Sequence, residues 1–547
     1  MRYIFALLTL WQFVFSFTAN SFRYRATAGL FTDDFDLILN PARIPEVKGN
    51  RLFTNLANLI SQDEEVVSNT SENTFLIGAS SDYLKFLYPA FILSLSSYQL
   101  PLMTNLTDRQ GRPIFGEGRE IRTEWIDEDN NGSYDYKVVQ SLSEKAYRSG
   151  KENHGYLGLG KNLGALYFGI GYFRNYQDSS RQEPVDNFTF SRTESSLVSA
   201  SFTYAETAQF SGIRKGENIR ETFLLSSQFR NDYLTFGLNI GLLPVRIKES
   251  YNLTGESLRF RSAADFDRIF KTSTTDLPYQ GVSCPINLYF FARRERDVGI
   301  TGYEGKYYFS YLMEDLNLKD GKILSSDSSS ISFNPGKFWK RDTTYEKESG
   351  KIKQNNLYLA THQLFFPTKV FSLGIGLRLF FNSFFDSSSS LIRHFTYTVF
   401  DNGDSLQNRS DSTVEKRFEE GSYEKTTGRT YSISFPCAFE YRITNWLVLR
   451  LGSVYTWSIV DRSTVGKLTL FSPEKSVVTY GDGTKQEFVV WGEKKEGTKE
   501  EYKRQINTTT FSYGIGITPK EFISLDLTGF HRLNELDNWK ISVIFKF

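Results

Sequence analysis

Only 2 cysteines, Cys284 and Cys437, occur in 547 residues, too few for a disulfide framework, and 4 histidines leave little for a histidine-rich metal site. No charge prevails: 64 Lys+Arg stand against 63 Asp+Glu. That balance argues against nucleic acid as a partner, because such binders usually carry a basic excess. After Phe17 there is no run of about 20 apolar residues, so the chain does not cross a membrane as helices. Gly-x-Ser-x-Gly, His-Glu-x-x-His and the Walker loop are all missing. His154, His362, His394 and His531 have no local partner pattern, and no enzyme is expected. What the chain has in quantity is aromatic rings, 48 Phe, 31 Tyr and 7 Trp, which disordered chains lack.

The N-terminus indicates export. Met1-Arg2 precedes an apolar stretch from Tyr3 to Phe17, closed by Thr18-Ala19-Asn20-Ser21. A basic start, an apolar middle and a small-residue end read as a secretory signal over residues 1–21.

Beyond it, the ruling pattern has a period of two. In the last nine residues Trp539, Ile541, Val543, Phe545 and Phe547 form one large apolar row. Such alternation places one row on each face of a strand. A chain closing on Phe with this row resembles the C-terminal signal by which outer-membrane barrels meet the barrel assembly machinery. The pattern recurs upstream. Tyr431, Ile433, Phe435, Cys437, Phe439 and Tyr441 face away from Ser432, Ser434, Pro436, Ala438 and Glu440. Phe371, Leu373, Ile375, Leu377 and Leu379 oppose Ser372, Gly374, Gly376 and Arg378, and Leu234, Phe236, Leu238 and Ile240 oppose Gly237 and Asn239. An apolar row outside and a Gly/Ser/Arg row inside suit a lipid-facing wall, and in lipid the sheet has to close.

The expectation is therefore all-β: a transmembrane antiparallel up-and-down β-barrel of about 14 strands, within roughly 12 to 16. Short turns such as Asn162-Leu163-Gly164, Arg230-Asn231-Asp232 and Thr444-Asn445 belong in the periplasm. Long polar segments, 101–150, 244–280, 314–355, 386–427 and 461–504, are expected as extracellular loops. Residues 22–72 lack sustained alternation, yet Leu30, Phe31, Phe35, Leu37 and Ile38 are too apolar for a free tail. They are assigned to a plug, and 73–547 to the barrel; a first wall strand from Arg51 to Ile60 is the rival reading. Asp33, Asp34 and Asp36 would then pair with inward arginines, Arg378, Arg442 or Arg450, since buried charges need partners.

An acidic pair, Asp33-Asp34, followed by Asn40-Pro41-Ala42 resembles the FadL family of outer-membrane hydrophobic-compound transporters and the related PorV-type barrels. The likeness covers about 14 positions, and the usual Gly-rich segment before the acids is reduced to Ala28-Gly29. It implies a plug within a fourteen-stranded barrel, and uptake of a hydrophobic small molecule that leaves through a gap beside a kinked strand. Pro436 lies mid-strand, where it removes a ladder donor and should force a bulge or bend. That bend would either border such a gap or merely tighten curvature.

One segment points to a cation. Asp127-Glu128-Asp129-Asn130-Asn131-Gly132-Ser133-Tyr134-Asp135 spaces Asp127, Asp129, Asn131 and Asp135 around one point, as calcium requires, with Gly132 making the turn. The EF-hand's final Glu is replaced by Val138, and the flanks read as strands. The alternative is an Asn-Gly hairpin turn with solubilising acids. The sequence as a whole reads as a channel or transporter for hydrophobic or small solutes in the outer membrane of a Gram-negative-type bacterium. A surface or secretion-system scaffold is the alternative.

Overall fold

In the computed structural model, described for residues 21–547 except 58–71, 85, 109, 198–201, 263–264, 295–301, 334–335, 405, 492–496 and 531–539, alternation becomes a closed sheet. The wall begins with β1 (Arg51–Ala57), β2 (Glu72–Ser80) and β3 (Tyr88–Pro101). A side hairpin of β4 (Met103–Thr107) and β5 (Pro113–Ile126) follows, then β6 (Tyr136–Leu163), β7 (Leu166–Gln182) and β8 (Asn187–Ser196). The long members are β9 (Phe202–Arg230), β10 (Leu234–Ser262), β11 (Asp265–Arg294), β12 (Gly302–Phe333), β13 (Lys337–Phe366), β14 (Phe371–Asp401) and β15 (Ser412–Arg442). The chain closes with β16 (Leu447–Phe471), the hairpin β17 (Glu474–Tyr480) and β18 (Lys485–Val490), then β19 (Lys499–Lys520), β20 (Ile523–Phe530) and β21 (Lys540–Lys546).

Antiparallel neighbours run β1, β2, β3, β6, β7, β9 through β16, β19, β20 and β21, and β21 returns to β1 with Arg51 opposite Lys546 and Ala57 opposite Lys540. The ring thus holds about sixteen strands, the upper bound expected. The plug boundary moves: residues 51–57 are wall, the rival reading, because seven residues suffice to bridge β2 and β21 although their alternation is weak. β8 stays outside the ring as a flap on β6 and β9.

The rows face as expected. Leu234, Phe236 and Ile240 are about half exposed on the outside, while Asn239 and Leu243 are buried within. The polar segments are a correction. Residues 244–262, 265–280, 314–333, 337–355, 386–401 and 412–427 are not loops but continuations of β10 to β15, which reach 29 to 32 residues. A strand of that length spans on the order of 100 Å, whereas ~9–11 residues cross a bilayer. In the overrun the outward apolar row ends, while part of the inward row stays apolar at Val245, Leu277, Leu316 and Leu318 and the ladder persists. Cross-strand pairs such as Arg341–Asp327 (2.9 Å) and Arg393–Glu419 (2.8 Å) accompany it.

Residues 21–50 pack inside the short-turn end of the ring. Ser21 accepts the Tyr24 N–H and caps α1 (Phe22–Ala26). Asp33 forms a capping box with Asp36 at α2 (Asp34–Ile38), and Asn40 caps the 3-10 helix Pro41–Glu46. The acidic and Asn-Pro-Ala residues are therefore helix starts. Phe35, Ile38 and Ile44 join Phe53, Leu76, Ile92, Tyr156, Phe173 and Ile544 from the wall in one core, each apolar side chain contributing about 1.5–3 kcal/mol. Wall glycines permit this approach: a Cβ on Gly171 would stand 2.7 Å from Pro41 Cγ, and one on Gly160 2.7 Å from the Pro41 carbonyl oxygen. Gly171→Val is accordingly expected to unseat residues 22–50 without opening the ring. Limited proteolysis should then cleave the segment while the heat-modifiable gel mobility of the barrel stays unchanged.

Candidate functional site

The candidate site is the short-turn end of the lumen, where the plug meets inner rows from all sides. On one side Glu440 of β15 accepts from Arg23 of the plug (Nε 2.8 Å, Nη2 2.6 Å) and from Arg450 Nε of β16 at 2.9 Å. Arg450 also pairs with Asp526 of β20. Arg378 Nη2 donates to the Ala28 carbonyl at 2.6 Å, and its Nε to His362 at 3.3 Å. Arg378 thus holds the plug through a backbone carbonyl and Arg450 only through Glu440, and neither makes the expected pair with Asp33, Asp34 or Asp36. Arg442 does not serve the plug: β15 ends there, and its side chain is exposed at the open rim while its N–H closes the turn on Val370.

The aspartates act locally. Asp34 binds Arg51 Nε at 2.8 Å, Asp33 is a helix cap, and Asp36 accepts from Ser21 N (2.9 Å) and Oγ (2.6 Å). Burial, and then the charge of Asp36, holds Asp33 well above the usual carboxylate range.

A second network fixes the other side. Glu46 accepts from Arg43 (3.1 and 3.2 Å), from Gln228 Nε2 at 2.8 Å, and pairs with Arg230 at 2.9 Å. The Tyr289 hydroxyl donates to Gln228 Oε1 at 2.7 Å. Burial alone would raise the Glu46 pKa, but Arg43, Gln228 and Arg230 together outweigh it and bring it below its ordinary 4.5. None of Arg23, Glu440, Asp526, Arg43 or Glu46 was singled out from sequence. The available signal was Glu440 and Arg450, directly opposed on inward rows.

Above the 3-10 helix lies a small chamber of 230 Å³ lined by Asn40 and Arg43 of the plug and by Asn239, Asn287, Leu288, Tyr289, Phe291, Tyr308, Phe309, Ser310 and Tyr358 of β10 to β13.

 Farther from the short turns on the same strands, Leu243, Val245 and Leu316 form a buried apolar layer, next to the Arg220–Glu314 pair at 2.8 Å. A larger concavity of 940 Å³ lies behind the 3-10 helix, lined largely by outward apolar side chains including Phe91, Leu157, Ile170, Phe223 and Leu225.

Pro436 is another correction. The β14–β15 ladder misses the pairs at Gly376 and Leu377, yet Ile375 faces Cys437 and Arg378 faces Ser434 in one unbroken register. Neither bulge nor gap forms, because Gly376 leaves space beside the proline ring, whose Cγ would be 2.9 Å from a Cβ there. In the acidic turn between β5 and β6, carboxylate oxygens of Asp127, Asp129 and Asp135 lie within 4.8 Å of one another. Asn131 instead donates its amide to Asp129 at 2.7 Å. Of the assembly row, Ile541, Val543 and Phe545 lie on β21 and Phe547 follows it; Trp539 and the signal residues 1–20 lie outside the described residues.

Neither a protein-family model nor a curated protein matches this chain. Among solved structures it is similar to the ferric yersiniabactin uptake receptor FyuA from Yersinia pestis, at 9% identity over 91% of this chain and 80% of that one, with a TM-score of 0.28. It is also similar to the siderophore receptor PiuA from Acinetobacter baumannii (8% identity, 92% and 82% covered, TM-score 0.28). A Pseudomonas aeruginosa FadL homologue aligns at 9% identity over 96% and 98%, with a TM-score of 0.23. At such scores these likenesses carry no argument about this chain.

The Glu46 network predicts a pH response. A carboxylate with a lowered folded pKa stabilises the plug above its unfolded value near 4.5, and that contribution is lost as pH falls through the folded value. Glu46→Gln should remove this dependence and, by leaving Arg43 and Arg230 short of an anion, cost about 3–5 kcal/mol. The difference between wild type and variant in proteolytic protection of residues 22–50, followed against pH, measures it.

Proposed function

We propose that this chain is an outer-membrane β-barrel that passes small solutes through its lumen, with residues 22–50 as the plug that gates it. The observation that carries this reading is the plug itself, tied to Glu440 on one side and to Gln228 and Arg230 on the other, with a chamber above it. The Asn40-Pro41-Ala42 segment within the plug agrees with a FadL-like transporter. The apolar outward rows favour an outer-membrane site. Removing residues 22–50 is expected to raise the conductance of the barrel in planar bilayers. Unchanged conductance from a correctly folded truncation would mean that the segment gates nothing.

A scaffold reading has its own support: the long strands project far past a bilayer, and the layer at Leu243, Val245 and Leu316 fills part of the lumen. In that reading the projecting sheet binds a surface or secretion partner. The acidic turn at its exterior is proposed to bind calcium through Asp127, Asp129 and Asp135. Asp127→Ala combined with Asp129→Ala should abolish calcium-dependent protection of residues 101–150 from protease. Equal protection of the wild type with and without chelator would reduce the segment to a plain hairpin turn.

A further inference from the structure

The chamber above the plug differs from the rest of the lumen in what it offers a ligand. At 230 Å³ it is smaller than the ~300–1,000 Å³ typical of sites for drug-sized molecules. It suits a single ring and excludes an extended acyl chain. Its charge is matched internally, since the one plug cation lining it, Arg43, is held by Glu46 and lies over the Phe291 ring at 5.1 Å. The remaining lining is amide, hydroxyl and aromatic face, with Leu288 as its aliphatic member. Tyr289, Phe291 and Tyr308 form a continuous aromatic wall, with centroids 5.2 and 5.6 Å apart.

Asn239 supplies an independent observation. It lines the chamber, is 8% exposed, and its Oδ1 has no hydrogen-bond partner among the described residues. On the adjoining strand Asn287 is already engaged by Ser310. A buried acceptor beside aromatic faces and without spare charge calls for a neutral group that donates, such as a hydroxyl. A carboxylate would set its charge against the Asn239 oxygen, and a hydrocarbon would leave that oxygen unpaired.

We propose that the chamber binds a small neutral polyhydroxylated ring, of monosaccharide size, with the Asn239 carbonyl accepting from a ring hydroxyl. This rests on the solute-passing reading and adds the class of solute. The test uses the full mature barrel in detergent, titrated calorimetrically with D-glucose, D-galactose, benzoate and laurate, alongside swelling of proteoliposomes in each solute. Saturable binding of at least one sugar is expected. Asn239→Leu should weaken it tenfold or more, whereas Asn239→Asp, which keeps the acceptor, should stay within a few-fold. Heat-modifiable mobility reports that each variant is folded. Binding of laurate or benzoate in place of both sugars overturns the ligand class and leaves the transport reading standing. Sugar binding unaffected by Asn239→Leu, or no binding of any probe while the proteoliposomes swell, overturns the site and means that water alone fills it. No binding and no swelling, even after removal of residues 22–50, overturns the transport reading as well.

Discussion

A strand in an apolar surrounding must have both its edges paired, and the contact between β1 and β21 is where this chain meets that demand. Seven residue pairs join the first wall strand to the last. Without them the sheet would expose two rows of unpaired amides and carbonyls at the level of its apolar belt. Closure then creates the next problem. A ring of about sixteen strands is wider than its own side chains can fill. The plug occupies that space at the short-turn end, and the wall carries glycine where the plug comes closest.

How much of this was legible in the sequence depends on which surroundings each segment has. Where one face meets an apolar medium and the other the lumen, the rows separate cleanly, as in Phe371–Leu379 or Tyr431–Tyr441. The wall could be read there, and its inward charges Arg378 and Arg450 with it. Beyond that belt the outward row turns polar and only part of the inward row is apolar, so residues 244–262 or 412–427 look like loops although they hydrogen-bond as strands. Arg51–Ala57 was hidden differently: seven residues are too few for a period to declare itself, and only the partners on either side define the strand.

The site was less legible than the wall, for a related reason. Asp33, Asp34 and Asp36 were expected to pair with inward arginines, but cluster composition does not distinguish helix caps from ion-pair partners. Short polar side chains satisfy nearby backbone donors before they reach across a lumen. The long-range pairing falls instead to long side chains, Arg23 and Arg43, which can span from the plug to the wall or fold back on Glu46. Pro436 illustrates the same limit: its effect was decided by the glycine on the neighbouring strand, a pairing that register alone reveals.

The plug is held unevenly, and this shapes how it can act. Its second half, from Phe35 to Val47, shares an apolar core with β1, β2, β3, β6, β7 and β21. Its first half has a smaller apolar cluster, Leu30 and Phe31 against Leu364 and Ala438, with Phe22 and Ala26 also buried, and it is tied further by Arg23–Glu440, the Arg378–Ala28 bond and the Ser512 hydroxyl on the Ala26 carbonyl. Buried ion pairs contribute little net stability because desolvation offsets their attraction, whereas the apolar core gains with each side chain removed from water. The apolar hold on the segment therefore lies mostly in its second half, and the first half would leave the wall at the smaller apolar cost.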